Sequence, residues 1–244
     1  YYMIQGNRVG TNNQAIALEK EGEPNSVLKW IQGEMEHLEN QCAKALKAYA
    51  ENHEIGEWLL SIRGIGPVIA SGILCRERQI LTANHIAQLW SYAGLSPQCV
   101  GRKRGQKLSH DPSFKRILWL AGECFVKCQK SDDIYRRIYD ERKAYEQAKN
   151  LAGDYADQAK SALEGKKFDT STVTYKSYAE GKLPDGHINA RAKRYMVKMF
   201  LMHVFDVWKF TADGVRPPKP YVIDIMGHAD YIDPPHFDFQ PRTN

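Results

Sequence analysis

Long apolar runs are missing from this sequence. No window approaches 18 uninterrupted apolar residues, about the length a membrane-spanning helix requires, so no membrane partner is expected. A secretory leader is not visible either, which makes the cytoplasm the expected location. Internal repeats are absent, and so is any alternation of strand-like with helical segments, which excludes the parallel-sheet α/β folds. Cysteine is scarce and unpatterned. Cys42, Cys75, Cys99, Cys124 and Cys128 are odd in number and match no zinc spacing, so neither a metal site nor a cofactor is expected, and the thiols are read as buried and reduced. A strong excess of one charge is lacking as well: the net charge of +5 falls short of what marks a nucleic-acid binder by itself.

What is present is a composition of 43 % hydrophobic and 26 % charged residues, that of a folded protein, on a chain of 244 residues, long enough for a real core. The periodicity is helical. Residues 1–20 read as a helix weakened by Gly6 and Gly10. After a connector over Glu21–Ser26, with Asn25 or Ser26 as cap, Leu28, Ile31, Met35, Leu38, Cys42, Leu46 and Tyr49 recur at steps of three and four. That seam demands a helix alongside. Because the glycines weaken residues 1–20, a second copy is the expected partner, giving a homo-oligomer through the N-terminal helices.

Further helices are expected before Ile62, from Pro67 to about Glu77, over Thr82–Leu95 (Thr82 as cap, Gly94 as terminator) and over 114–129. The last of these carries Phe114, Ile117, Leu118, Ala121, Phe125 and Cys128 on one side. A charged helix follows with Ile134, Ile138 and Tyr145 as its stripe, then one over 154–164, a break at "GKKFDTSTV", and a long helix over His187–Phe210 with Ile188, Ala192, Tyr195, Met199, Met202 and Phe205 as seam. Trp30, Trp58, Trp90, Trp119 and Trp208 are assigned mostly to packing. The tail from 211 holds six prolines and is expected to lie extended on the surface. The fold class is all-α, divided into an N-terminal helical arm over 1–55, a domain over 56–210 with an insertion at about 130–186, and a tail over 211–244.

"SIRGIGPVIASGIL", Ser61 to Leu74, breaks an apolar stretch with Gly64-Ile65-Gly66-Pro67 and resumes at once. Glycine costs roughly 1 kcal/mol in a helix interior and proline about 3, so the break has a purpose. Two helices joined by a hydrophobic residue between glycines form a helix-hairpin-helix pattern. The glycines permit a tight turn and a close approach, Pro67 suits the first position of the second helix, and that helix's free N–H groups favour an anion such as a nucleic-acid phosphate. Gly64, Ile65, Gly66, Pro67 and Val68 are the candidate contacts, with Ile65 plugging the hairpin into the core. A plain αα-hairpin with glycines for packing is the alternative. A Gly-containing loop then brings Arg102, Lys103, Arg104, Lys107, Lys115 and Arg116 against a single acid, Asp111. Arg191, Lys193, Arg194 and Lys198 lie on the late helix opposite its seam. Three basic features point to a surface that tracks phosphates, with DNA as the expected partner and structured RNA as the alternative.

The order of "LLSIRGIGPVIASGIL", "LWSYAGLSP", a basic loop and "FKRILWLAGECFVK" resembles the C-terminal domain of insertion-sequence transposases related to the Piv DNA invertase, and "ARAKRYMVKMFLMHVF" resembles its last helix. The resemblance implies a helix-hairpin-helix domain that acts on DNA. Members also carry an RNase-H-like domain with acidic metal ligands, which nothing here resembles, and a serine nucleophile after the "GL-P" segment, where this chain has Cys99 and Val100. Cys99 and Ser109 are weak nucleophile candidates, and Mg²⁺ is expected only if the chain is catalytic. His228 and His236, with Asp230, Asp233 and Asp238, read as solvated tail residues rather than a metal site. A non-catalytic, transposase-derived DNA-binding protein is therefore the expectation. The alternatives are an active recombinase whose metal-binding half lies upstream or in another chain, and a helical oligomerisation protein.

Overall fold

The computed structural model describes residues 1–97, 99, 104–165, 167–218 and 231–239. Their regular structure is helix alone: α1 (Tyr2–Glu21), α2 (Ser26–Glu51), α3 (Gly56–Ser61), α4 (Pro67–Leu74), α5 (Glu77–Leu81), α6 (Ile86–Tyr92), α7 (Pro112–Cys128), α8 (Ile134–Leu151), α9 (Ala156–Gly165), α10 (Val173–Ala179) and α11 (Asp185–Asp213). The fold is all-α, as the periodicity indicates. The chain divides into two compact units, Tyr1–Ser61 with Ile65–Cys75, and Ile62–Gly64 with Arg76–Asn244.

In the first unit α1 packs along α2. The helix runs through Gly6 and Gly10, where an added Cβ would meet nothing within 4 Å, and docking along α2 offsets the propensity cost of the two glycines. Arg8 Nε and Gln5 Nε2 donate to Glu39 at 2.6 and 2.8 Å, and Thr11 Oγ1 reaches the Met35 sulfur. α1 thus covers part of the α2 seam from within the chain, which corrects the expectation that residues 1–20 are too weak to pack there, while Leu38 and Tyr49 of that seam stay exposed. Asn25 stands at the N-cap of α2 but makes no side-chain cap bond. Its amide donates instead to the Ala15 carbonyl at 3.2 Å, tying the connector to α1. On the other side α2 receives α4, where Ser71 Oγ donates to the Leu46 carbonyl at 2.9 Å.

The second unit is built around α11. From Met199 to Trp208 every residue of that helix is buried, so a one-sided seam describes only its first half; a helix covered all round is a core helix. α5, α6, α7 and α8 pack on it. Phe125 of α7 stacks on Tyr135 of α8 at 4.6 Å and meets Phe200 edge-on at 5.0 Å. The buried stripe of α8 is Tyr135, Ile138, Tyr139 and Glu146, while Tyr145 is exposed. Tyrosines take the place expected for Ile134 and Tyr145 because α11 satisfies their hydroxyls, Tyr135 through His203 Nδ1 at 2.9 Å and Tyr139 through Asn189 at 2.5 Å. Thr82 closes α5 rather than opening α6; its hydroxyl donates to the Arg78 carbonyl. Gly94 ends α6 with φ +68°, as expected.

None of the five cysteines is buried. Cys75 and Cys128 are exposed and the other three half-buried, all of them free thiols. The inward face of α7 is filled by Phe114, Ile117, Leu118, Ala121 and Phe125, which leaves Cys124 and Cys128 on its flank. Residues 231–239 have no regular structure and dock on the end of α11: Phe210, Phe237 and Phe239 form a cluster of edge-on rings, and Tyr231 donates to Asp206. No helix among the described residues is long and apolar enough to cross a membrane.

Candidate nucleic-acid interface

The hairpin between α3 and α4 turns at Gly64, whose φ of +99° is a conformation that L side chains rarely adopt. A Cβ there would also stand 3.3 Å from the Cys124 backbone. Beside it, the Arg63 carbonyl accepts from Gln129 Nε2 at 2.9 Å and the Arg63 guanidinium pairs with Asp133 at 3.2 Å. Ile65 is buried, as its place between the glycines suggests. Gly66 is different. It is the extended N-cap of α4 and has no side chain to cap that helix, and a Cβ added to it would meet nothing within 4 Å. Packing and turn geometry thus account for Gly64 but not for Gly66. Pro67 occupies the first turn of α4, and Val68 is half-buried.

In the second unit, the loop after α6 is tied at both ends. Leu95 and Ser96 donate to the Trp90 carbonyl at 2.8 and 3.2 Å, and Asp111 donates its N–H to the Tyr92 carbonyl at 2.8 Å. Arg102 and Lys103 lie outside the described residues, as do His228 and Asp230; Arg104, Lys107, Lys115 and Arg116 are exposed. Asp111 does not neutralise the loop. Its carboxylate caps α7, accepting from the N–H groups of Ser113 and Phe114 at 2.8 and 3.1 Å, and also accepts from Arg76 Nε and Tyr92 OH at 2.9 Å each. Burial works to raise its pKa, but the hydrogen bonds from the Ser113 hydroxyl, the Phe114 N–H, Tyr92 and the Ser113 N–H outweigh burial and hold the carboxyl well below the usual carboxylate range. Cys99 donates its thiol to the Ser91 carbonyl at 3.6 Å and Ser109 is exposed. Among the described residues no group of three His, Cys, Asp or Glu side chains is placed to hold a metal ion.

Two adjoining hollows open where α6, α7, α8 and α11 meet. The first, of 180 Å³, is lined by Gly94, Leu95, Lys115, Trp119, Gly122, Ala190, Lys193, Arg194 and Val197. The second, of 320 Å³, is lined by Leu95, Pro97, Arg142, Glu146, Arg191, Arg194, Tyr195 and Lys198. They share Leu95 and Arg194, and Glu146 is the one carboxylate among their lining residues. Glu146 is 1 % exposed and accepts from Arg142 Nη2, Arg191 Nε and Tyr155 OH, each at 2.5 Å. Burial works against its charge, yet the bonds from Tyr155, Arg191 and Arg142 hold its pKa below the ordinary value. Lys193 pairs with Glu123. Arg191 and Lys193 are therefore structurally engaged, whereas Arg194 and Lys198 have no carboxylate within salt-bridge distance among the described residues. Lys198 Nζ lies 4.3 Å over the Trp90 ring. Burial above all, and then the charges of Arg194 and Arg142 nearby, press its pKa down.

The spacing 191, 194, 198 places Arg191, Arg194 and Lys198 on one side of α11, and the sequence shows it. Arg142 and Trp119 were not legible as site residues. Arg142 belongs to a helix whose charges alternate in sign, and Trp119 adjoins the buried Leu118. At about 100° per residue that single step carries Trp119 out of the core; it is 57 % exposed, and Trp30 likewise stands outside at 65 %, correcting the assignment of both to packing.

Residues 56–136 match the Transposase IS116/IS110/IS902 family. The match begins at α3, includes the hairpin, α6, the basic loop and all of α7, and ends in the first turn of α8. Lys115 and Trp119 lie inside the transposase-matched segment; Arg142, Arg191, Arg194 and Lys198 lie beyond it. No curated protein and no solved structure matches the chain.

Proposed function

We propose that this chain is a transposase-related protein that binds nucleic acid, DNA first, through its phosphate backbone, and that it does not itself cut or join strands. The observation that carries the reading is the cation-lined surface of the second unit, where Arg194 and Lys198 have no carboxylate partner among the described residues, Arg142 and Arg191 line the same hollow, and Lys115 lines the hollow beside it. Cations gathered against mutual repulsion gain stability from an anion that neutralises them, and a surface of several such groups suits a polyanion without reading its sequence. In the first unit, α4 presents an uncapped N-terminus behind Gly66, Pro67 and Val68, where backbone N–H groups and the helix dipole favour a phosphate. In the second unit, Arg104, Lys107 and Arg116, with Arg102 and Lys103, would add further phosphate contacts. Cys99 and Ser109 are assigned no chemistry. Structured RNA offers the same phosphates and is the competing ligand.

The direct experiment titrates a fluorescent duplex with the full chain and with the double variant Arg194→Glu/Lys198→Glu. Reversing two unneutralised cations should weaken binding at least about tenfold while the far-UV helical signal is kept. Unchanged affinity in a folded variant would remove this surface from the site.

A further inference from the structure

Trp119 has a use that backbone binding does not absorb. Its indole is 57 % exposed on α7, one turn after Lys115, and lines the hollow shared with Arg194. No ring or cation stacks on it among the described residues, in contrast to Trp90, which Lys198 covers. The wall beside it is fixed: a Cβ on Gly122 would lie 2.7 Å from Val197 Cγ2, so α7 and α11 cross in close contact there and Val197 is buried. The hollow is lined both by apolar side chains, Leu95, Ala190 and Val197, and by the cations Lys115, Lys193 and Arg194. A paired duplex presents phosphates but hides the faces of its bases; an unpaired nucleotide presents both a phosphate and a bare aromatic face.

We propose that Trp119 is the stacking platform for an unpaired base, with Lys115 and Arg194 holding the phosphates on either side of it. The hollow is thereby a site for single-stranded nucleotides within the surface assigned above to nucleic acid, and the inference rests on that reading. Stacking of a base on an aromatic side chain contributes about 1–3 kcal/mol and tolerates any base. Arg194, common to both hollows, would then link the unpaired nucleotide to the duplex-binding surface.

The test compares the full-length chain with Trp119→Ala and Trp119→Phe on three labelled probes: a paired duplex, the same duplex carrying an unpaired extension, and a single strand, each as DNA and as RNA. Trp119→Ala should lose roughly five- to 150-fold in affinity for the probes with unpaired nucleotides and change little on the paired duplex. Trp119→Phe should recover most of the loss. An oligothymidylate should quench part of the wild-type indole emission, and that part should vanish in Trp119→Phe. The DNA and RNA arms show which strand carries the base, and selective loss in either supports the platform. Equal loss on paired and unpaired probes, or no loss on any, overturns it while leaving backbone binding in place. A wild-type chain that binds none of the probes overturns both.

Discussion

At the scale of single residues, the chain shows how burial sets ionisation. His203 is fully buried; its Nε2 faces the Ile232 carbonyl at 2.8 Å, which only accepts, so Nε2 carries the proton and Nδ1 takes the Tyr135 hydroxyl. Burial pushes its pKa down to about 4. Asp206, 3 % exposed, is pushed by burial up to about 6 against the hydrogen bond from Tyr231. The two shifts act oppositely on stability. His203 has a folded value below its ordinary 6.5, so its contribution is complete above that pH and is lost as pH falls through about 4. Asp206 has a folded value above its ordinary 3.8, so its contribution is complete below that pH and is lost as pH rises through about 6. Asp206→Asn, which mimics the protonated acid, should match the wild type near pH 4 and exceed it by about 2–3 kcal/mol at pH 8. Urea unfolding at the two pH values checks this; equal stability differences at both would refute it. None of this was legible in the sequence, because it depends on what α8 and the tail bring to α11 and not on spacing along the helix.

Among elements, the helices were legible where an apolar stripe repeats along one face, as in α2, α7 and the first half of α11. They were misread where side-chain partners decide. Thr82 has the look of an N-cap but closes α5 and back-bonds to Arg78, while Asn25 does hold the N-cap position of α2 yet sends its amide to α1 instead of capping with its side chain. The hairpin was legible because Gly64 and Gly66 bracket a hydrophobic residue, but the different reasons for the two glycines appear only in three dimensions. Gly64 is held by its positive φ and by Cys124. Gly66 faces open space, so Gly66→Asp should keep the helical content. In a helix cap position an acid is acceptable or favourable to folding, while its charge repels an incoming phosphate. Duplex affinity should fall about tenfold or more, and circular dichroism and thermal unfolding should stay near wild type. Full affinity in the variant would reduce the hairpin to a packing device.

At the scale of the whole molecule two matters are open to measurement. Val27, Trp30, Leu38 and Tyr49 fall on one side of α2 at 100° per residue, and all four are exposed, Trp30 at 65 % and Leu38 at 51 %. We read this stripe, which α1 leaves uncovered, as the pairing surface between two copies. Sedimentation should then give twice the 27.9 kDa of one chain, reverting to a single folded chain in Trp30→Glu/Leu38→Glu; a concentration-independent single mass for the wild type would contradict pairing. Nucleic-acid binding is the larger claim, and its electrostatic origin fixes how it must respond to salt. The decisive measurement is duplex affinity across a salt series for the wild type and for Arg194→Ala. Displacement of counterions by several cations predicts a log–log slope of about −3 or steeper, and the loss of one phosphate contact should make it shallower by about 1. A flat slope, or one that Arg194→Ala leaves unchanged, would contradict a phosphate-binding surface at this site.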